Sequence, residues 1–238
     1  KGAASIYSGQ YQTAIELLGQ AEALLKDSEM LFSAYSYEAT AYIALHHFND
    51  AFKVMGKSLG LIDRIDDINL KRASYLRLAS LYTAMGVTEE VAKYAAKALA
   101  LASPSDVKDV CISKLYLSVH QLESKSYSQA FDEFKSTRSY CESSGYPLIA
   151  NIALKGMGES SLRLNEPQLA ISYLLDSLKG YESFNFELEI NSVHELLSEA
   201  YLLLQDSTKA ELHAQYVMNL VDDSSNTELK HGASRVLA

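Results

Sequence analysis

The sequence contains no tryptophan, three prolines, two cysteines and eleven glycines in 238 residues. So little proline leaves long stretches in which a helix meets no breaker. Pro104 and Pro147 fall where a chain reversal is expected, and Pro167 suits the first turn of a helix. No apolar run approaches the roughly 18–20 residues that cross a bilayer, so no direct membrane insertion of this fragment is expected. Basic clusters are missing as well. Lys and Arg total 21 against 30 Asp and Glu, which gives a net charge of −9 and a pI of about 5.2. A nucleic-acid groove needs clustered cations to displace counterions. Nucleic acid is therefore excluded as a partner, and the acidity points to solubility or to neutral and basic partners.

Motifs that carry chemistry are also missing. There is no GxxxxGK[ST] loop, no GxGxxG after a strand, no HExxH and no CxxC pair. His46 and His47 are adjacent, so their rings point apart on a helix or turn. His120, His194, His213 and His231 show no ligand spacing. Asp63, Asp66 and Asp67 lack the glycine and terminal Glu of a calcium loop and read as a solvated loop. Serine and tyrosine are abundant, but no nucleophile has a base at a recognisable spacing. The expectation is a chain that is not an enzyme, with no catalytic residue, no metal and no cofactor.

What is present is a beat. Ala14, Ala51, Val91, Ala130, Ala170 and Ala210 recur at spacings of 37, 40, 39, 40 and 40 residues. Four residues beyond them stand Leu18, Met55, Ala95, Phe134, Leu174 and Ala214. Twelve residues before them stand Gly2, Ala39, Ala79, Ser118, Gly158 and Ser198, every one small. Small residues opposite large ones let two helices approach and interlock. A fixed period of this size marks a helical-repeat array in which each repeat is a helix pair. The turn between the two helices falls at Gly9, His46, Gly86, Lys125, Asn165 and Gln205, where a left-handed helix-ending residue is due. Asn49, Thr88, Ser128 and Thr208 follow as expected helix caps.

This arrangement resembles the tetratricopeptide repeat (TPR) family. Leu78-Ala79, Tyr82, Val91, Ala95 and Ala98 follow the family's order of large, small, aromatic, small, large and small. Glu38-Ala39, Tyr42, Ala51, Met55 and Ser58 follow it less closely. The period is longer than the family's usual 34 residues, as in the roughly 40-residue variants of kinesin light chains and of some bacterial regulators. The family's early tryptophan is replaced by Tyr35 and Tyr75 in two repeats. The resemblance implies an all-α fold, a right-handed α-solenoid of about six helix pairs. Its expected repeats are 1–31, 32–70, 71–109, 110–149, 150–189 and 190–226 of a single array over 1–238, with 227–238 starting a further repeat or capping helix. Gly2 already sits in mid-helix and the chain opens at Lys1 without methionine, so the sequence reads as a piece of a longer protein.

In this family the first helices line a concave face. On this sequence the inward positions are Ser36, Thr40, Leu76 and Ser80 in the early repeats, then Leu115, Val119 and Leu122 in the middle. Lys155, Glu159, Glu195 and Glu199 follow in the late repeats. The apolar middle with an acidic flank suits an extended or helical peptide, unless longer helices tilt and bury Leu115 and Val119 against neighbours. Relatives that clamp a chaperone's carboxylate use Lys and Asn at these places, and this chain has neither pattern. The expected function is a non-catalytic protein- or peptide-binding scaffold. It resembles the sensory or interaction region of a larger bacterial signalling protein with an output such as a diguanylate cyclase or kinase. Two other readings stand beside it: a cytoplasmic TPR regulator that captures a signalling peptide or small ligand, and a self-association arm forming a homodimer.

Cys111 lies seven residues outward from Ser118, and Cys141 seven outward from Phe134, on facing sides of one expected hairpin. Two readings remain: a disulfide, or two reduced thiols packed as small apolar residues. A bond places the chain in an oxidising compartment such as a periplasm; reduced thiols place it in the cytoplasm.

Overall fold

The computed structural model describes residues 1–184 and 186–223. Among these residues every regular element is a helix. They pair as α1 (Gly2–Tyr7) with α2 (Tyr11–Glu22), α3 (Ser28–Ala44) with α4 (Phe48–Ile62), and α5 (Ile68–Ala84) with α6 (Thr88–Ala100). Then follow α7 (Val107–Glu123), α8 (Tyr127–Ser143), α9 (Pro147–Arg163), α10 (Pro167–Phe184), α11 (Glu187–Leu203) and α12 (Ser207–Asp223). The chain divides into two compact units, Lys1–Leu117 and Ser118 onward, and each is described by itself. Repeat starts read from the sequence at 32, 71, 110, 150 and 190 fall inside helices that begin at Ser28, Ile68, Val107, Pro147 and Glu187. The expected repeat over 227–238 lies outside the described residues.

The left-handed turns stand where the spacing puts them. Gly9, His46, Gly86, Lys125, Asn165 and Gln205 all have positive φ, between 59° and 72°. The residue after each closes the helix by bonding back. His47 N–H donates to the Tyr42 carbonyl at 2.8 Å, Val87 to Tyr82 at 3.0 Å, and Ser126 to Gln121 at 2.9 Å. That bond explains why the expected caps fail. The second helices start at once after these residues, so Asn49, Thr88 and Ser128 already lie inside α4, α6 and α8. The residues that do precede them, His47, Val87 and Ser126, make no side-chain cap bond. Caps appear instead where an aspartate precedes the helix, as at α12, where Asp206 accepts from Lys209 N–H at 3.2 Å, and on two first helices. Asp27 accepts from Glu29 and Met30 N–H, and Asp67 from Asn69 and Leu70 N–H. Asp67 is thus an exposed loop residue that also caps a helix.

Non-glycine residues hold four of these left-handed turns, and at His46, Lys125 and Gln205 the steric penalty is about 1 kcal/mol or more. Replacing His46, Lys125 and Gln205 by glycine is expected to stabilise the chain by about 0.5–1 kcal/mol at each site, part of the relief being offset by chain entropy. Chemical denaturation of the triple variant checks this, with no gain as the contrary result.

In unit 1, Ala39, Ala79, Met55, Leu78, Val91 and Ala98 are buried in one core with Phe32, Tyr35, Tyr75, Tyr82 and Tyr94. The small residues Ala39 and Ala79 are fully enclosed. Tyr94 stacks on Tyr82 with ring centroids 5.6 Å apart and on Tyr75 at 6.0 Å. Glu38 occupies a buried place that Leu78, Met157 and Leu197 fill in other repeats, and burial pushes its carboxyl upward. At the outer end of α5, buried Arg72 donates from Nε to Asp109 at 2.7 Å, from Nη2 to Asp106 at 2.8 Å and from Nη1 to Asn69 at 3.2 Å. Both carboxylates keep some solvent access. Arg72→Met is therefore expected to cost about 2 kcal/mol, below the range for a wholly buried pair, as read from a denaturation midpoint; an unchanged midpoint would show the network to be dispensable.

In unit 2 the interlock is tighter. Gly158 leaves room for Leu174, whose Cγ and Cδ2 lie 2.7 and 2.8 Å from where a Cβ would stand. Several buried small polar residues are satisfied locally. Ser118 and Thr137 hydroxyls meet at 3.2 Å, and Ser198 Oγ donates to the Ala210 carbonyl at 2.7 Å. Asn151 and Ser177 each donate a side-chain group to the other's backbone carbonyl.

Candidate interaction face

First helices carry all eleven inward positions read from the sequence, and the structure sorts them. In unit 1, Ser36 is fully buried and donates to the Phe32 carbonyl at 2.8 Å, so it packs and offers nothing to a ligand. Thr40 is half-buried and donates to the Ser36 carbonyl at 2.9 Å. Leu76 is half-buried against the core, Ser80 is exposed, and Leu115 is half-buried. In unit 2, Val119 is half-buried. Leu122 is only 9% exposed, so it belongs to the packing and not to an open strip.

The polar positions of unit 2 form a denser arrangement. Lys155, Glu159 and Arg163 follow one another at four-residue steps on one side of α9, and Glu195 and Glu199 do the same on α11. Lys155 Nζ pairs with Glu189 Oε2 and reaches Ser192 Oγ at 3.4 Å. Arg163 Nη1 pairs with Glu199 Oε1, while its Nη2 lies 3.6 Å from Glu159 Oε1. Glu195 is half-exposed and forms no ion pair among the described residues. Desolvation holds the Glu159 carboxyl above the usual range; Arg163 and Lys155 pull it down, and the Glu123 and Glu199 charges push it up again. Three carboxylates, Glu159, Glu189 and Glu199, thus share two cations, Lys155 and Arg163; Glu123 adds a further negative charge near Glu159, and Glu195 stands one turn from Glu199.

Arg163 and Glu189 were not read as part of this face from the sequence. A signal was present: each cation stands a little short of one period before its carboxylate, at separations of 34 and 36 residues. Cys111 and Cys141 are fully buried, and neither is free; both are disulfide-bonded. No group of three or more His, Cys, Asp or Glu able to hold a metal occurs among the described residues. No described helix is long and apolar enough to cross a membrane.

No protein-family profile matches the sequence, and no curated protein matches it either. Solved structures do match in fold. A Signal Transduction ATPase with Numerous Domains (STAND) protein with a tetratricopeptide repeat sensor, from Pyrococcus horikoshii, aligns over 96% of this chain and 36% of its own, with a TM-score of 0.75 at 17% identity. RapI in its apo form aligns over 93% of this chain and 62% of its own, with a TM-score of 0.68 at 15% identity. BtubC (BKLC) from P. vanneervenii aligns over 87% of each chain, with a TM-score of 0.65 at 15% identity. The chain spans about a third of the first of these proteins and about three-fifths of the second. The fold is all-α and of the TPR-like helical-repeat kind.

Proposed function

We propose that this chain is a non-catalytic protein-binding scaffold whose partner engages the α9 and α11 side of unit 2 with a basic segment. The observation that carries the reading is the excess of acid there: Glu159, Glu189 and Glu199 share Lys155 and Arg163, Glu123 adds its charge near Glu159, and Glu195 forms no ion pair among the described residues. A Lys- or Arg-bearing partner supplies the missing charge, and electrostatic complementarity of this sort favours encounter and register. Thr40, Leu76, Ser80, Leu115 and Val119 supply further contact surface on the first helices of their own units.

The fold it shares with a protein described as having a tetratricopeptide repeat sensor supports a place in the sensory or interaction region of a larger signalling protein. The bonded cysteines support an oxidising compartment such as a periplasm. Selection from a random peptide display library on the immobilised chain tests the binding role. Enrichment of Lys- and Arg-bearing sequences, lost when Glu195 and Glu199 are both changed to Lys, is the expected result. Enrichment of acidic or purely apolar sequences, or enrichment indifferent to that change, overturns it.

A further inference from the structure

We propose that His194 of α11 and His213 of α12 form a chelating site for a late first-row divalent cation, with Cu(II) preferred over Ni(II) and Zn(II). The two residues are nineteen apart in sequence, yet their Nδ1 atoms lie 2.7 Å from each other. The ring centroids are 5.0 Å apart with planes at 39°, so both nitrogens sit between the rings and each lone pair is aimed into the same gap. In the metal-free pair that gap holds a single proton: one Nδ1–H donates and the other Nδ1 accepts.

A cation takes the place of that proton once the rings turn off the nitrogen–nitrogen line. Two imidazoles on bonds of about 2.0 Å stand about 2.8 Å apart at a right angle and about 3.3 Å apart at the tetrahedral angle. The nitrogens are already near the first spacing, but they face each other head-on, so each lone pair must swing by about 45° to meet at a common apex. His213 is half-exposed, so it makes the larger part of that swing, and His194, 8% exposed, the smaller. A tyrosine lies against each ring. Tyr216 lies on His194 at 3.8 Å and Tyr201 on His213 at 5.5 Å, nearly parallel.

Protonation does not compete near neutrality. Burial, and then the neighbouring His213 charge, bring His194 down to about 4, and burial lowers His213 as well. Both rings are therefore neutral and able to ligate. On binding, both Nδ1 lone pairs go to the metal, and the donor ring's proton moves from Nδ1 to Nε2, so no net proton is released. Water fills the remaining coordination positions. The nearest cation on these elements is Lys209, 5.1 Å above the Tyr201 ring. The order Cu(II) over Ni(II) and Zn(II) follows the general affinity series for nitrogen donors.

Titration of the untagged chain with Cu(II) at neutral pH tests the site, read by electron paramagnetic resonance and by thermal unfolding. The expected result is one equivalent bound with a two-nitrogen signature, and a midpoint raised by about 5 °C or more at a hundredfold excess over Kd. His213→Gln and His194→Gln each weaken binding tenfold or more, while His46→Gln/His47→Gln leaves it unchanged. His213→Gln is decisive because its half-exposed position tolerates replacement. A one-nitrogen signature, binding unaltered in His213→Gln, or no binding at all overturns the proposal.

Discussion

Removing the disulfide by the double change Cys111→Ala/Cys141→Ala is expected to lower stability by about 3 kcal/mol, and the thermal midpoint by about 6–12 °C. Cys111 and Cys141 lie thirty residues apart in sequence, and each is disulfide-bonded. In the chain-entropy account, a loop of that length removes about 3–4 kcal/mol of freedom from the unfolded ensemble. Both sulfurs are fully buried, so a reductant has no direct access. Reduction must then wait for local opening, and the native chain shows no thiol to a labelling reagent until it is reduced and unfolded. Mass spectrometry of the labelled protein reads this directly. Two thiols reacting in the native, unreduced chain would contradict the account.

Gly156→Val is expected to cost about 3 kcal/mol, at the upper end of overpacking effects. An added Cβ at Gly156 would lie 2.5 Å from both Cε1 and Cζ of Phe134. Phe134 is 1% exposed and rigid in the core between α8 and α9, so it has nowhere to withdraw. The helical preference of an ordinary residue over glycine, about 1 kcal/mol at most, is too small to compensate. The diagnostic experiment is a pair of variants. Phe134→Leu alone is destabilising because it leaves a cavity, but combined with Gly156→Ala it recovers part of that loss. Denaturation midpoints of the two single variants and the double variant give the coupling. Simple additivity would mean that the two residues do not share the space described.

The helix pairs, their register and their turns were legible in the sequence because packing repeats its demands. A small residue is needed wherever two helices touch closely, and Ala39, Ala79, Ser118, Gly158 and Ser198 meet that need at every period. The turn residue needs only positive φ, so His46, Lys125 and Gln205 were recognisable by position despite having unsuitable side chains. Caps were misread because the sequence shows hydroxyl and amide residues but not which backbone N–H is already bonded. Ser126 N–H, for example, is held by Gln121.

The candidate face was legible only in part. Glu159, Glu195 and Glu199 stand out as charges on an inward stripe. Their partners Arg163 and Glu189 emerge only when neighbouring first helices are set side by side. Ser36 and Leu122 were assigned to the face by spacing alone, and a shift of a fraction of a turn put both into the core. The meeting of His194 with His213 had no sequence signal, since nineteen residues across a helix turn is no recognised ligand spacing.

One comparison of affinities tests the binding account most directly. A Lys- and Arg-bearing peptide obtained by selection is titrated, by fluorescence anisotropy, against three chains: the native sequence, Glu195→Lys/Glu199→Lys, and Asp132→Lys/Glu211→Lys. The last pair lies on the second helices α8 and α12 and changes net charge by the same amount. The account predicts at least a tenfold loss for the α11 pair, about 1.4 kcal/mol, and little change for the control. Equal losses in both variants, or full affinity in the α11 variant, would contradict it.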